Sequence, residues 1–290
     1  MIPEVEKLID RFDQLDYVVE EELATVLFLM LKLKKPLLLE GPPGVGKTEA
    51  ANIIAHYQDH ELIRLQCYEG LDVSTSVYEW NYQKQLLHIK LSEKEKISAA
   101  EQEKFIFSDE FLLNRPLLKA ITSDKPAVLL IDEIDRADEE FEAFLLELLS
   151  DFQISIPELG TIKAKHKPVV ILTSNRTRDL SDALKRRCLY HWVDFPTFDK
   201  ELAIVEKHVG GEVEILQHLV RFVEYLRAQH LQKIPGIAET IDWARALITL
   251  NATTLSPELI ESTLGCVLKA QKDINEIKHS LTSILEETSV

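Results

Sequence analysis

The sequence predicts an α/β fold, a three-layer αβα core around a parallel sheet, followed by a small all-α domain. Two observations carry this. Three short runs, PLLLE at 36–40, AVLLI at 127–131 and PVVILT at 168–173, are apolar up to at most their last residue, as strands buried on both faces of a parallel sheet are. Beyond Pro196 the pattern turns to helices alone. The expected domains are residues 1–196, the α/β core, and residues 197–290, the helical domain.

Each element follows in order. Glu20 to Lys32 has helical composition with a wide apolar face, and Pro36 breaks it. Pro36 to Glu40 is a strand running into a glycine-rich loop, and Thr48 to Tyr57 is the helix that begins where the loop stops. Glu61 to Cys67 reads as the next strand, whereas 68–90, rich in aromatics and Ser/Thr, fits no class. Ser92 to Lys104 reads as a solvated polar helix or loop. Ser108-Asp109-Glu110 reads as the cap of one helix carrying FLLNRPLLKAI. Ala127 to Ile131 is a strand, Phe141 to Leu149 a helix, and Phe152 to Lys165 a hairpin around Pro157 and Gly160. Pro168 to Thr173 is the third buried strand. The helices from Thr197 onward break at Gly210-Gly211, Pro235-Gly236 and Ser256-Pro257.

The charge balance narrows the function. With 33 basic and 49 acidic residues the net charge is −16, which opposes a general affinity for nucleic acid or an anionic membrane. Three distant cysteines without metal-ligand spacing suit a reducing compartment. The first residues lack a signal-peptide pattern, and the apolar stretch Leu23 to Leu33 is too short to span a bilayer. A cytoplasmic protein is expected.

The chemistry is concentrated in four places. GPPGVGKT at 41–48 fits G-x-x-x-x-G-K-[ST], with a strand before it and a helix after it. Gly41, Gly44 and Gly46 let backbone N–H groups turn inward on phosphate oxygens, with Pro42, Pro43 and Val45 between them. Lys47 can reach the β- and γ-phosphates, the Thr48 hydroxyl can bind Mg²⁺, and Glu49 continues into the helix, whose N-terminus also favours an anion. In LLIDEID, Asp132 ends a buried strand, where it can organise Mg²⁺ partly through water, and Glu133 can orient and deprotonate a water. Alternatively both acids start the next helix. Asn175 ends PVVILTSN, where it touches the γ-phosphate, positions the water, or caps the following turn. Arg186 and Arg187 in DALKRRC read, on their own, more often as a solvated surface than as an active pair.

The order GPPGVGKT, LLIDEID, ILTSN, ALKRR and a helical C-terminal domain resembles the AAA+ ATPases. LLLEGPPGVGKT, RLQCYEGLD, FLLNRPLLKA and SDALKRRCLYHWVDFP look like the MoxR family, in the branch resembling CoxD, the ATPase of carbon monoxide dehydrogenase maturation. The resemblance implies ATP and Mg²⁺ as ligands and an ATP-hydrolysing chaperone forming a homo-oligomeric ring, a hexamer, around a protein client. It also implies a partner with a von Willebrand factor A domain. ATP is expected between the core and the helical lid. Asn175 becomes sensor 1, and Arg187, with Arg186 as its rival, the arginine finger that completes a neighbour's site. Tyr17 and Val18 fall where such proteins hold adenine, although amphipathic packing explains them almost as well. Two departures stand out. Cys188 follows the arginines where the family has aromatic-like residues. GIAETIDWARAL places Thr240 where a sensor-2 arginine is usual, with Arg245 a little over one turn later. Tyr68 to Trp80 are expected to face the ring pore or a client, with a folded surface loop as the alternative. The rival functions are a nucleic-acid motor or loader on the same fold, a nucleotide-dependent assembly scaffold, and a small-molecule kinase.

Overall fold

The computed structural model describes residues 2–92, 99–156, 159–210 and 213–288. The strands in chain order are β1 (Leu37–Glu40), β2 (Glu61–Gln66), β3 (Tyr78–Trp80), β4 (Leu112–Asn114), β5 (Ala127–Asp132), β6 (Gln153–Ile156), β7 (Gly160–Lys163), β8 (Val169–Ser174) and β9 (Leu189–Trp192). The helices are α1 (Pro3–Asp13), α2 (Glu21–Leu33), α3 (Glu49–Gln58), α4 (Val73–Ser76), α5 (Tyr82–Ser92), α6 (Ala99–Ile106) and α7 (Pro116–Thr122). They continue as α8 (Glu139–Asp151), α9 (Asp182–Lys185), α10 (Phe198–Val209), α11 (Val213–Ala228), α12 (Ile237–Thr249), α13 (Pro257–Val267) and α14 (Gln271–Thr288). Two compact units result: Met1–Glu21 with Pro42–Gly46 and Val193–Val290, and Glu22–Gly41 with Lys47–Trp192.

The second unit is built on a parallel five-stranded sheet in the order β2-β5-β8-β1-β9. Alternation along each strand divides its apolar residues between the two faces. Leu38, Leu129, Ile131 and Leu172 share one core with Leu117, Leu118 and Ile121 of α7 and Phe141, Leu145 and Leu148 of α8. Leu37, Leu39, Val128, Leu130 and Ile171, equally buried, take the opposite face. Burial on both faces is why these runs carry no polar alternation, at ~1.5–3 kcal/mol for each fully buried side chain. The register sets Leu39 beside Thr173 and Glu40 beside Ser174, so the C-terminal ends of β1, β8 and β5 line up on one edge.

Three local expectations change. FLLNRPLLKAI is not one helix capped at Ser108. Asp109–Phe111 is a 3₁₀ turn, Leu112–Asn114 pairs antiparallel with Tyr78–Trp80, and the helix starts at Pro116. Proline fits the first helical turn and disfavours helix at the residue before it, so Arg115 is extended (φ −77°, ψ 169°). The stretch 68–90 becomes a short helix, one strand of this antiparallel pair and α5. Trp80 is buried, edge-on to Phe107 and Tyr78, so it packs inward rather than facing outward. The third change is β9, an edge strand that pairs with β1. The hairpin of β6 and β7 forms as expected, with Pro157 and Glu158 outside the described residues. Residues 93–98 of the expected polar segment also lie outside them.

In the first unit, α10 to α14 enclose Leu219, Phe222, Trp243 and Leu264. Trp243 Nε1 donates to Thr263 Oγ1 at 2.8 Å. Arg227 makes a buried two-pronged pair with Glu201 (2.5 and 2.7 Å), with its guanidinium over Phe195. The expected breaks appear as Gly210 ending α10, Gly236 before α12, and Ser256 capping α13 through Leu259 N–H. Gly211 lies outside the described residues. No helix among the described residues is long and apolar enough to cross a membrane.

Candidate functional site

In the loop between β1 and α3, Gly44 (φ +81°) and Gly46 (φ +89°) adopt backbone conformations that side chains disfavour. Lys47 is buried and donates from Nζ to the Gly41 carbonyl at 2.7 Å. Burial lowers its pKa to about 8, an effect the nearby Asp135, Asp132 and Glu133 carboxylates partly offset. Thr48 stands just before α3, and Glu49, exposed in its first turn, accepts from Asn52 at 2.8 Å. Pro42 to Gly46 belong with the helical unit: Gly44 O accepts the Ile237 N–H at 2.9 Å. Gly236 lies so close that a Cβ on it would stand 2.6 Å from Gly44 Cα.

At the end of β5, Thr48 Oγ1 donates to Asp132 Oδ1 at 3.1 Å. A hydroxyl and a carboxylate converging there are hard oxygen donors of the kind Mg²⁺ takes alongside water and phosphate oxygens. Among the described residues no group of three or more His, Cys, Asp or Glu forms a cage for a metal. Two residues that sequence reasoning missed complete the surroundings of Asp132. Arg64 of β2 pairs with Oδ2 at 2.5 Å, and the buried Thr173 of β8 donates to Oδ1. Thr173 Oγ1 also accepts the Glu133 N–H at 2.9 Å, so one hydroxyl spans both acids.

Glu133 is half-buried and left-handed (φ +55°, ψ +49°), leading into the 3₁₀ turn Ile134–Arg136. The conformation turns its side chain out of the strand, and its carboxylate pairs with Arg136 Nε at 2.7 Å. Arg136 lines an open cavity of about 990 Å³ with Glu69, Asp138 and Arg178 among its walls. Asn175, directly after β8, is half-buried, and its carboxamide makes no hydrogen bond among the described residues. Its backbone N–H is held by Asp135 Oδ1 at 3.1 Å.

The other expected residues make contacts within their own units. Arg187 is engaged within its own unit: Nε donates to Ser150 Oγ at 2.6 Å and a terminal nitrogen to the Ala183 carbonyl at 2.8 Å. Arg186, the C-cap of α9, is exposed; its backbone N–H donates to Asp182 O, and its guanidinium makes no hydrogen bond or ion pair among the described residues. Tyr17 is half-buried and edge-on to Phe12 at 5.9 Å, the packing alternative for it, and Val18 is half-buried beside it. Thr240 is fully buried, donating to Glu201 Oε1 at 2.7 Å and contacted by Arg227. Arg245 is exposed on α12 near Asp242. Burial pushes the Cys67 and Cys188 thiols up to about 12, against Arg187 in the case of Cys188, so neither supplies a thiolate.

The family model described as the ATPase family associated with various cellular activities (AAA) matches residues 37–194. An uncharacterised protein of Staphylococcus epidermidis is 29% identical over 230 residues, 77% of this chain and 79% of its own length. One of Staphylococcus aureus is 30% identical over 230 residues, 76% of this chain and 78% of its own length. The gas vesicle ATPase of Halobacterium salinarum is 25% identical over 283 residues, 90% of this chain and 76% of its own length. Among solved structures, a mutant of Thermotoga maritima RuvB aligns with a TM-score of 0.50 and 18% identity, over 99% of this chain and 83% of that one, a likeness of fold.

Proposed function

The chain belongs to the AAA family of ATPases, and on that premise we propose that it is a MoxR-type chaperone, of the branch resembling CoxD, that spends ATP on remodelling or maturing a client protein in the cytoplasm. In this reading residues 1–196 are the motor and 197–290 its lid. Backbone N–H groups of the loop 41–48 and Lys47 hold the phosphates, while Thr48 and Asp132 hold Mg²⁺, which neutralises charge on the phosphate oxygens. Glu133 takes the proton of the attacking water and Asn175 orients that water or the γ-phosphate. The Thr48–Asp132 contact is the observation that supports this arrangement most strongly, because it joins the phosphate loop to the acid pair.

An arginine from a second copy completes the site in a ring, a hexamer by family resemblance. We assign that role to Arg186, since Arg187 is spent on Ser150 and the Ala183 carbonyl. Arg187 then braces the turn that presents it. A surface for the client is offered by the exposed Tyr82, Leu86, Leu87 and Leu91 of α5. Within the stretch Tyr68 to Trp80, expected to face the pore or a client, Tyr68 is exposed and Trp80 is buried. A client carrying or receiving a metal cofactor, and a partner with a von Willebrand factor A domain, follow from the resemblance. The net charge of −16 argues against a nucleic-acid motor. Glu133→Gln, which keeps the loop and Asp132, should retain ATP and co-purify with one client protein. Recovery of nucleic acid in place of a protein, or stimulation of turnover by DNA at physiological salt, would overturn the chaperone reading.

A further inference from the structure

The ends of β5 and β8 carry the groups assigned to hydrolysis, and one buried carboxylate ties them together. Asp135 is 2% exposed. Its Oδ1 accepts the Asn175 N–H at 3.1 Å, and its Oδ2 accepts the Thr177 N–H at 2.8 Å and the Thr177 hydroxyl at 2.7 Å. A carboxylate out of water is costly unless donors replace the solvent. All of these donors come from residues 175–177, some 40 positions along the chain. Burial pushes this carboxyl up, and the hydrogen bonds from Thr177 and Asn175 outweigh it, holding the pKa below its ordinary value. The group is therefore charged and oriented at neutral pH.

Its position gives the tie a direction. Asp135 sits inside the 3₁₀ turn that Glu133 enters, so its backbone is fixed to the general base within two residues. On the other side it grips the backbone of Asn175, whose carboxamide has no hydrogen bond of its own among the described residues. The direction of that carboxamide thus follows from where its backbone is held. From this geometry we infer that Asp135 is a positioning residue, setting the separation of the Glu133 carboxylate from the Asn175 carboxamide and hence the place of the attacking water. The inference rests on the roles proposed above for Glu133 and Asn175. It adds a residue whose two carboxylate oxygens are engaged by donors of the chain itself.

Asp135→Asn replaces one acceptor with an NH₂ group facing an N–H, so the two-sided grip is lost while the loop 41–48 is left in place. Misplacement of reacting groups by a fraction of an ångström to 1 Å lowers kcat by about 10- to 100-fold, with KM for ATP within about threefold of wild type. Asp135→Glu separates geometry from charge. It keeps the negative charge that bears on Lys47 but not the grip, and is expected to be as slow as Asp135→Asn. Thr177→Val, which removes only the hydroxyl donor, is expected to lower kcat in the same direction by less. Asp135→Asn combined with Asn175→Ala should be no slower than Asn175→Ala alone, because both act through one group. If Asn175→Ala turns over at the wild-type rate, the role proposed for Asn175 falls. If Asn175→Ala is slow but the two defects multiply, or Asp135→Glu restores wild-type kcat, or the loss in Asp135→Asn lies in KM, positioning by Asp135 is overturned. Thermal melts with and without ATP establish that each variant is folded, and Thr177→Val carries the test if Asp135→Asn is not.

Discussion

The carboxylate of Glu133 is paired with Arg136 Nε at 2.7 Å, three residues further along the same turn. The residue assigned to take a proton from water is thus held by a cation of its own chain. A guanidinium on a carboxylate occupies the lone pairs a water would use.

Arg136→Ala should therefore raise basal ATP turnover. The pair is partly open to solvent, with side-chain exposures of 54% and 30%. Such pairs are worth ~0.2–1 kcal/mol, which corresponds to an increase of about 1.5- to 5-fold. Steady-state phosphate release at saturating ATP measures this. Turnover at or below the wild-type rate would show that Arg136 does not restrain the base.

Much of this site is legible in the chain itself. The three apolar runs are strands because they are buried on both faces, and GPPGVGKT with LLIDEID places Thr48 and Asp132 on one edge of a parallel sheet. The partners Arg64, Thr173, Asp135 and Arg136 are not legible in the same way. Arg64 looks like a solvated residue on an alternating strand, and its reach to Asp132 depends on β2 lying beside β5. The choice between Arg186 and Arg187 depends on which side of α9 meets Ser150, a contact 37 residues away in sequence. β9 was missed because four residues, LYHW, with alternating partial exposure carry little apolar signal. In the Ser108 segment, local cap chemistry gave way to long-range pairing of Leu112–Asn114 with Tyr78–Trp80.

Thr173→Val tests the hydroxyl shared by the two acids. Thr173 is 1% exposed, and valine of similar shape leaves the Glu133 N–H without its acceptor. An unpaired buried donor costs ~1–3 kcal/mol. The urea midpoint should fall accordingly, and kcat with it. An unchanged midpoint would mean that the Glu133 N–H finds another partner.

Gly236→Ala tests the contact on the phosphate loop. The new Cβ would lie 2.6 Å from Gly44 Cα and 2.8 Å from Gly44 O, backbone atoms that cannot swing aside as a side-chain tip can. Overpacking of this kind costs ~1–3 kcal/mol. If the shift is taken up by the loop, ATP affinity drops by about tenfold, equivalent to ~1.4 kcal/mol. Equilibrium binding of a fluorescent ATP analogue reads it, and wild-type affinity would show that the start of α12, not the loop, takes up the change.

Asp135 also predicts a pH dependence. Its folded pKa is lowered below an unfolded value of about 3.9, so its contribution is present above that value and is lost as pH falls through the folded pKa. The gap in urea midpoint between wild type and Asp135→Asn should be widest near neutrality and narrow below about pH 4. A gap constant from pH 7 to pH 3 would contradict the charged, hydrogen-bonded state of this carboxyl.

The central claim is that one copy's Glu133 and another copy's Arg186 act at a single site. Mixing Glu133→Gln with Arg186→Ala tests it most directly. Each variant alone should lack most turnover, the arginine being worth ~10³–10⁵ in rate. After mixing, subunits with intact Glu133 beside neighbours with intact Arg186 should recover a sizeable fraction of wild-type ATP hydrolysis. Turnover of the mixture equal to the average of its inactive components would contradict the account.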